Sequence, residues 1–249
     1  MRSILRITLL PTVLFCAIAG CATSAPSEDE ASTDFVADPQ VATTGYAYFS
    51  IMADQRRCSY PTCGGWFIER LNREATRCSN GSWATRCYTP VLDWSQSNLS
   101  EEQRTELLEA CNEYAGTPGV YAIVRGIFKP FNRTPRPELG RFVITEAWLA
   151  ENDAVSGGTF VTVKDNGVRC FAAPCPSFTE TSLNLDAVTN IADVDFTVAA
   201  LTERQIEECR QLMATPTGII VAGDRYTVNV DGRTADGRTA TAAYYQLTP

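Results

Sequence analysis

No histidine occurs anywhere in the 249 residues. That absence removes the commonest general base, the Ser-His and Cys-His nucleophile pairs, and the imidazole-containing zinc sites. The apolar run from Ile7 to Phe15 is too short for a permanent membrane-spanning helix. A phosphate loop is missing too: no helix start follows Gly64-Gly65, which serves as a backbone device. Asp231-Gly232 and Asp236-Gly237 lack the alternating acids and closing glutamate of a calcium loop, so they read as a turn. Positive charge is scarce as well. Residues 1–20 hold Arg2 and Arg6 and no acid, so the remainder sets 19 bases against 29 acids, a net charge of −10. Nucleic acid and anionic lipid surfaces would repel such a chain and are not expected partners.

What is present begins with an export signal. Arg2 and Arg6 precede the apolar run, and Ile18-Ala19-Gly20-Cys21 resembles a bacterial lipobox. The resemblance implies cleavage before Cys21, acylation of that cysteine (palmitate being a usual chain), and membrane attachment through it. Each buried methylene contributes ~0.8 kcal/mol, so several chains anchor firmly. Ala22 after the cysteine points to the outer membrane by the usual sorting pattern. The expected location is therefore the bacterial cell envelope. Residues 21–44 are rich in Ser, Thr, Ala, Pro and acids without apolar periodicity, and read as a disordered acidic tether.

The folded part writes one stretch twice. Arg57–Asn72 (RCSYPTCGGWFIERLN) returns as Arg169–Asn184 (RCFAAPCPSFTETSLN), with the same cysteine spacing and the same Leu-Asn ending. Tyr48–Asn72 maps onto Phe160–Asn184 at a constant offset of 112, and Cys111 with Thr117-Pro118 onto Cys209 with Thr215-Pro216 at 98. The loop Cys78–Cys87, without a counterpart, accounts for most of that difference. Each half carries a helix opened by a capping box, Ser100 with Gln103 and Thr202 with Gln205. Asp165-Asn166-Gly167 reads as a tight turn, and Asp231–Arg238 as the turn of a closing hairpin. The expected fold is α+β: two tandem β-β-β-α-β repeats packed with pseudo-twofold symmetry and stapled by disulfides. The boundaries are a signal at 1–20, the tether at 21–44, a first repeat at 45–128, a proline-rich connector at 129–140 and a second repeat at 141–249.

Ten cysteines include Cys16, lost with the signal, and Cys21. The remaining Cys58, Cys63, Cys78, Cys87, Cys111, Cys170, Cys175 and Cys209 form an even set in an exported chain and read as disulfides. Local closure pairs Cys58–Cys63, Cys170–Cys175 and Cys78–Cys87, which leaves Cys111–Cys209 as a bridge across the halves. Two buried free thiols are the alternative for that last pair. No metal site is expected, because the four-residue cysteine spacing is loose for zinc and an oxidising compartment competes for the thiols. No cofactor is expected either.

Five residues stand out as candidates for binding: Arg57, Trp83, Glu146, Trp148 and Arg169. A guanidinium at 57 or 169 suits a ligand carboxylate, though a contact that fixes the cysteine loop explains its presence in both halves. Glu146, two residues from Trp148 on an apolar strand, has the setting of a general acid with a raised pKa; pairing with an arginine is the plainer reading. No residue is designated catalytic. Asn72 and Asn184 read as local backbone caps.

These pieces together resemble a family of bacterial secreted proteins and lipoproteins that carry a domain of unknown function. The matching residues are Tyr48-Phe49, Asp54, Arg56-Arg57-Cys58, Pro61, Cys63-Gly64-Gly65, Leu71-Asn72, the Cys78–Cys87 loop with Tyr88, and Asp93-Trp94. They continue through Thr145-Glu146-Ala147-Trp148, Lys164–Cys170 and Ala173-Pro174-Cys175. The resemblance covers nearly all of the chain beyond the tether and implies no activity. The expectation is a lipid-anchored envelope protein that binds a protein or glycan or plays a structural part. Alternatives are an extracellular protease inhibitor that uses the Cys78–Cys87 loop, and a hydrolase built on Glu146.

Overall fold

The computed structural model describes residues 45–131 and 136–248. Cys21, the signal and the tether lie outside the described residues. The chain forms mostly sheet with two helices and three disulfides, an α+β fold stapled as expected.

The first stretch supplies β1 (Ala47–Ala53), β2 (Trp66–Arg70), β3 (Thr76–Arg77), β4 (Trp83–Ala84), β5 (Arg86–Thr89) and β6 (Leu92–Asp93). Helix α1 (Glu101–Glu113), β7 (Ala122–Lys129) and β8 (Arg141–Ala150) follow. β1 alternates strictly between buried and half-buried positions, so Ala47, Phe49, Ile51 and Ala53 point into one core. The pairings close a ring: β5–β2–β1–β7–β8 run antiparallel in that order, and β6, just beyond β5, returns parallel to β8. Inside lie Phe49, Ile68, Leu107, Val124, Phe142 and Leu149, with α1 over them. Ser100 and Gln103 form the capping box that starts α1, and Leu107 and Cys111 are its buried face.

The second stretch supplies β9 (Thr159–Asp165), β10 (Phe178–Ser182), β11 (Val188–Ile191), β12 (Asp193–Asp195), helix α2 (Glu203–Met213), β13 (Ile219–Val230) and β14 (Arg233–Gln246). Its pairings read β11–β10–β9–β13–β14, with β12 returning parallel to β14. Val161, Ile191, Phe196, Cys209, Ile219 and Ala240 fill that ring. The rings join where β8 pairs β14, Tyr244 opposite Ala150. A third cluster, including Leu71, Ile123, Trp148, Phe160, Leu183 and Tyr244, fills the seam. Bulges sit at Arg125/Gly126 and Ala222/Gly223. A Cβ at either glycine would collide with a facing carbonyl, that of Val143 or Thr239, so only glycine lets the strands approach there.

Several expectations need correction. Cys111 and Cys209 are free and buried, not bridged. Equivalent places in sequence put the two thiols under different helices, one in each ring's core, with the seam between. Residues 129–140 connect β7 to β8, which pair along their whole length, so this is a hairpin connection and β8 closes the first ring. The closing hairpin is longer than its glycine-rich sequence indicated: β13 and β14 run up to Asp231-Gly232, whose φ values of 50° and 77° make a two-residue turn. Asp165-Asn166-Gly167 opens the long cysteine loop that joins the paired strands β9 and β10, where a tight turn was expected. Its bends come from side chains, with Gly167 N–H donating to Asp165 and Val168 N–H to Asn166.

Candidate functional site

One difference between the rings is on the outer face of β2 and β5. The alternation of β2 sends Ile68 inward and Phe67 outward, beside Tyr88 on β5. Their rings are 5.8 Å apart, edge to face. The Arg56 guanidinium lies 5.0 Å from the centroid of each, and that of Arg86 is 4.9 Å from Phe67. Arg56 is fixed further by a two-pronged contact to Asp54 (2.9 Å each) and by donation to the Thr62 carbonyl at 2.9 Å. The side-chain bonds from Arg56 hold the Asp54 carboxyl below its ordinary pKa. Tyr88 donates to the Pro61 carbonyl at 2.9 Å, and burial, then the Asp54 charge, raises its pKa. The Cys58–Cys63 corner is thus tied to the sheet by an arginine and a tyrosine.

At the offset of 112, Arg56 becomes Val168 and Phe67 becomes Thr179, and in the strand pairing Asn190 takes the place of Tyr88. The second corner has no such ladder. Arg169 pairs with Asp165 at 2.6 Å, and this bond lowers the Asp165 pKa. Phe171 at that loop's tip is fully exposed.

The loop absent from the second ring packs beside the β7–β8 connection, with Ser79 Oγ donating to the Glu138 carbonyl. Cys78 N–H donates to the Ser82 carbonyl and Arg77 pairs opposite Trp83, so a short hairpin forms inside the Cys78–Cys87 disulfide. Cys78 therefore sits opposite Ser82, and the chain reaches Cys87 by bending through Thr85 into β5. Trp83 is 46% exposed and Tyr60 63%, with Arg57 and Arg77 exposed near them in sequence. From Arg56 to Tyr88 the chain carries six arginines against Glu69 and Glu74, in a molecule of net charge −8. Sequence alone marks Tyr88 only within the family resemblance, and marks neither Phe67 nor Arg86. The available signal was a phenylalanine at an outward position of an alternating strand.

The other candidates lie elsewhere. Glu146 accepts from Arg125 at 2.7 Å and faces Gln246, with its side chain about one third exposed. Trp148 is buried at 3%, its ring 5.4 Å from Tyr48, and it packs in the seam. Burial, then the Glu146 charge, raises the Tyr48 pKa. Of the five candidates, Arg57 adjoins Arg56 of the first face, Trp83 lies on the separate β3–β4 hairpin, and Glu146, Trp148 and Arg169 lie elsewhere.

A cavity of about 470 Å³ also opens between the rings. Met52, Glu69 and Arg73 line it with Tyr114 and Tyr121, whose rings stack 4.0 Å apart, and with Ser156–Gly158 from across the seam. Arg73 directs its guanidinium to the Asn184 carbonyl, at 2.8 and 3.0 Å, as part of the contact between rings. None of the five candidates lines this cavity.

Among the described residues no group of three His, Cys, Asp or Glu side chains is placed to hold a metal ion. No described helix is long and apolar enough to cross a membrane. A family model described as Domain of unknown function (DUF6748) matches residues 47–248. No curated protein and no solved structure matches the chain significantly.

Proposed function

Since the chain belongs to the family described as Domain of unknown function (DUF6748), whose name carries no activity, we propose its function from its own residues: a lipid-anchored envelope protein that binds a partner through the arginine–aromatic face of its first ring. The observation that carries the binding role is that face, with Arg56, Phe67, Arg86 and Tyr88 interleaved on a corner closed by one disulfide and bordered by another. Two features weigh toward binding and against the alternatives. The Glu146 carboxylate is engaged by Arg125. The Cys78–Cys87 segment is folded on itself as a hairpin, whereas a protease bait loop needs an extended backbone.

The scaffold is, in this reading, a tandem duplication with pseudo-twofold symmetry. Three features support it: the same pairing order in both rings, a glycine bulge in each closing hairpin, and reciprocal contacts of Asn72 and Asn184 at the offset of 112. The first unit then ends with β8 near Ala150, and the second begins before β9. Cys21 supplies the anchor and 21–44 the tether, with the outer membrane as the site of attachment.

The anchor is tested in bacteria that express the full-length chain. Labelled palmitate should enter the wild type and not Cys21→Ala, and a globomycin-type inhibitor of the lipoprotein peptidase should leave the precursor uncleaved. Unlabelled, normally processed wild type under the inhibitor contradicts the anchor.

A further inference from the structure

We propose that the partner of the arginine–aromatic face is an acidic polypeptide segment, an inference that rests on the binding role proposed for that face. Every cation from Arg56 to Tyr88 is arginine; the first lysine in the chain is Lys129. Arginine presents a planar fork that matches a carboxylate, whereas lysine is a hydrated point charge. The face already displays the mode of recognition. Arg56, over the rings of Phe67 and Tyr88, holds the Asp54 carboxylate through two bonds of 2.9 Å.

Arg86 repeats the first half of that arrangement without the second. It lies 4.9 Å from the Phe67 centroid and is exposed, and among the described residues it makes no ion pair, although Glu69 is its cross-strand partner. Arg57 is likewise exposed and has no ion-pair partner among the described residues. The pattern leaves guanidiniums facing solvent, with Tyr60, 63% exposed, in the same Cys58–Cys63 corner.

That mixture is the composition of protein-interface hot spots, where aromatic side chains and arginine carry most of the binding energy. A sugar polymer is the weaker fit. Sugars stack on open ring faces, and guanidiniums cover Phe67 and Tyr88 here. The chemistry favours acidic side chains spaced along a peptide, with their carboxylates taken by arginine forks and nearby apolar groups set against Tyr60.

The test measures binding of the full-length protein in detergent to poly-L-glutamate and to polygalacturonate, which offers carboxylates on a sugar backbone, at low and physiological salt. Poly-L-glutamate should bind more tightly, and Arg86→Glu should weaken it about tenfold. Arg86→Lys keeps the charge but removes the fork, and should also weaken binding, which simple charge attraction would not predict. Arg210→Glu, on the exposed side of α2, should leave binding unchanged. Near-ultraviolet circular dichroism verifies folding, and Arg86→Gln serves if the reversal perturbs it. Tighter binding of polygalacturonate through Arg86 overturns the polypeptide assignment and leaves the face as a binding site. Binding of either probe that ignores Arg86, or no binding of both, overturns the face itself.

Discussion

The side chains of Asn72 and Asn184 each satisfy three backbone groups of the other ring. Asn72 donates to the carbonyls of Phe160 and Leu183 (2.7 and 2.8 Å) and accepts from Phe160 N–H at 2.8 Å. Asn184 does the same with Tyr48 and Leu71, at 2.7, 2.9 and 2.8 Å. Both have left-handed backbones, with φ of 56° and 59°, which asparagine tolerates better than most residues. The repeated Leu-Asn was visible in the sequence, but capping within one strand and clasping across two rings demand the same residue type. Only tertiary placement distinguishes them. Asn184→Ala loses these bonds and meets backbone strain, so we expect a loss of about 2–4 kcal/mol by urea denaturation, at roughly 1 kcal/mol per bond plus unpaired carbonyls. Asn184→Gly relieves the strain and should recover only part of it.

Cys111 and Cys209 pose another residue-scale test. Burial pushes both thiols up to about 12. The native protein should resist alkylation at mildly alkaline pH, and unfolding without reductant should expose two thiols from the folded part, at Cys111 and Cys209. Absence of label at these residues after unfolding would restore the cross-ring bridge.

Among the elements, β10 and β14 of the second ring depart most from β2 and β8 of the first. Glu180 on β10 is buried at 1% and bonded to Arg238 at 2.6 and 3.0 Å and to Arg225 at 2.5 Å. Strand register puts Ile68, Phe142 and Phe128 at the matching places, and the rings of Phe128 and Phe142 lie 5.0 Å apart. One ring thus fills with hydrocarbon the position that the other fills with an ion triad. Burial works against ionisation of Glu180, but the bonds and charge of Arg238, then Arg225, outweigh it and depress its pKa. A depressed pKa contributes stability that is present above the ordinary glutamate value of ~4.3 and lost as pH falls through the folded value. The urea midpoint should therefore fall on acidification below that value, and less steeply in Glu180→Gln.

Glu180→Ile alone leaves Arg238 buried without its carboxylate and should cost about 3–5 kcal/mol. Combined with Arg238→Phe and Arg225→Phe, which copy the first ring, the change should be neutral or stabilising by up to about 4 kcal/mol. A triple variant less stable than Glu180→Ile would argue against the equivalence. The helices were legible because each starts with a complete capping box, a local signal. β8 was legible as a strand but not as part of the first ring. Phe142, Val143 and Ile144 are buried in succession, and so are Ala147, Trp148 and Leu149; such runs name no pairing partner. The proline-rich link before it has the composition of a linker as much as that of a hairpin loop.

For the whole molecule, the two ring cores share the seam, and β8 pairs with β14 across it. Calorimetry should show one cooperative transition, with calorimetric and van't Hoff enthalpies in agreement. Two resolved transitions would mean that the rings fold independently. At this scale the repeated motif was readable from spacing alone, whereas the ring closure was not, because it depends on a parallel pairing of two or three residues in each ring. The proposed face was readable only in part: Arg57, next to Arg56, stood out, while Phe67, Arg86 and Tyr88 needed the register of β2 against β5.

Recognition is proposed to belong to the first ring alone. Hydrogen exchange of the full-length protein with and without poly-L-glutamate tests it most directly. Added protection is expected within Arg56–Tyr88 and none in the equivalent Cys170–Cys175 corner; protection at that corner, at the helices, or nowhere would contradict a first-ring site.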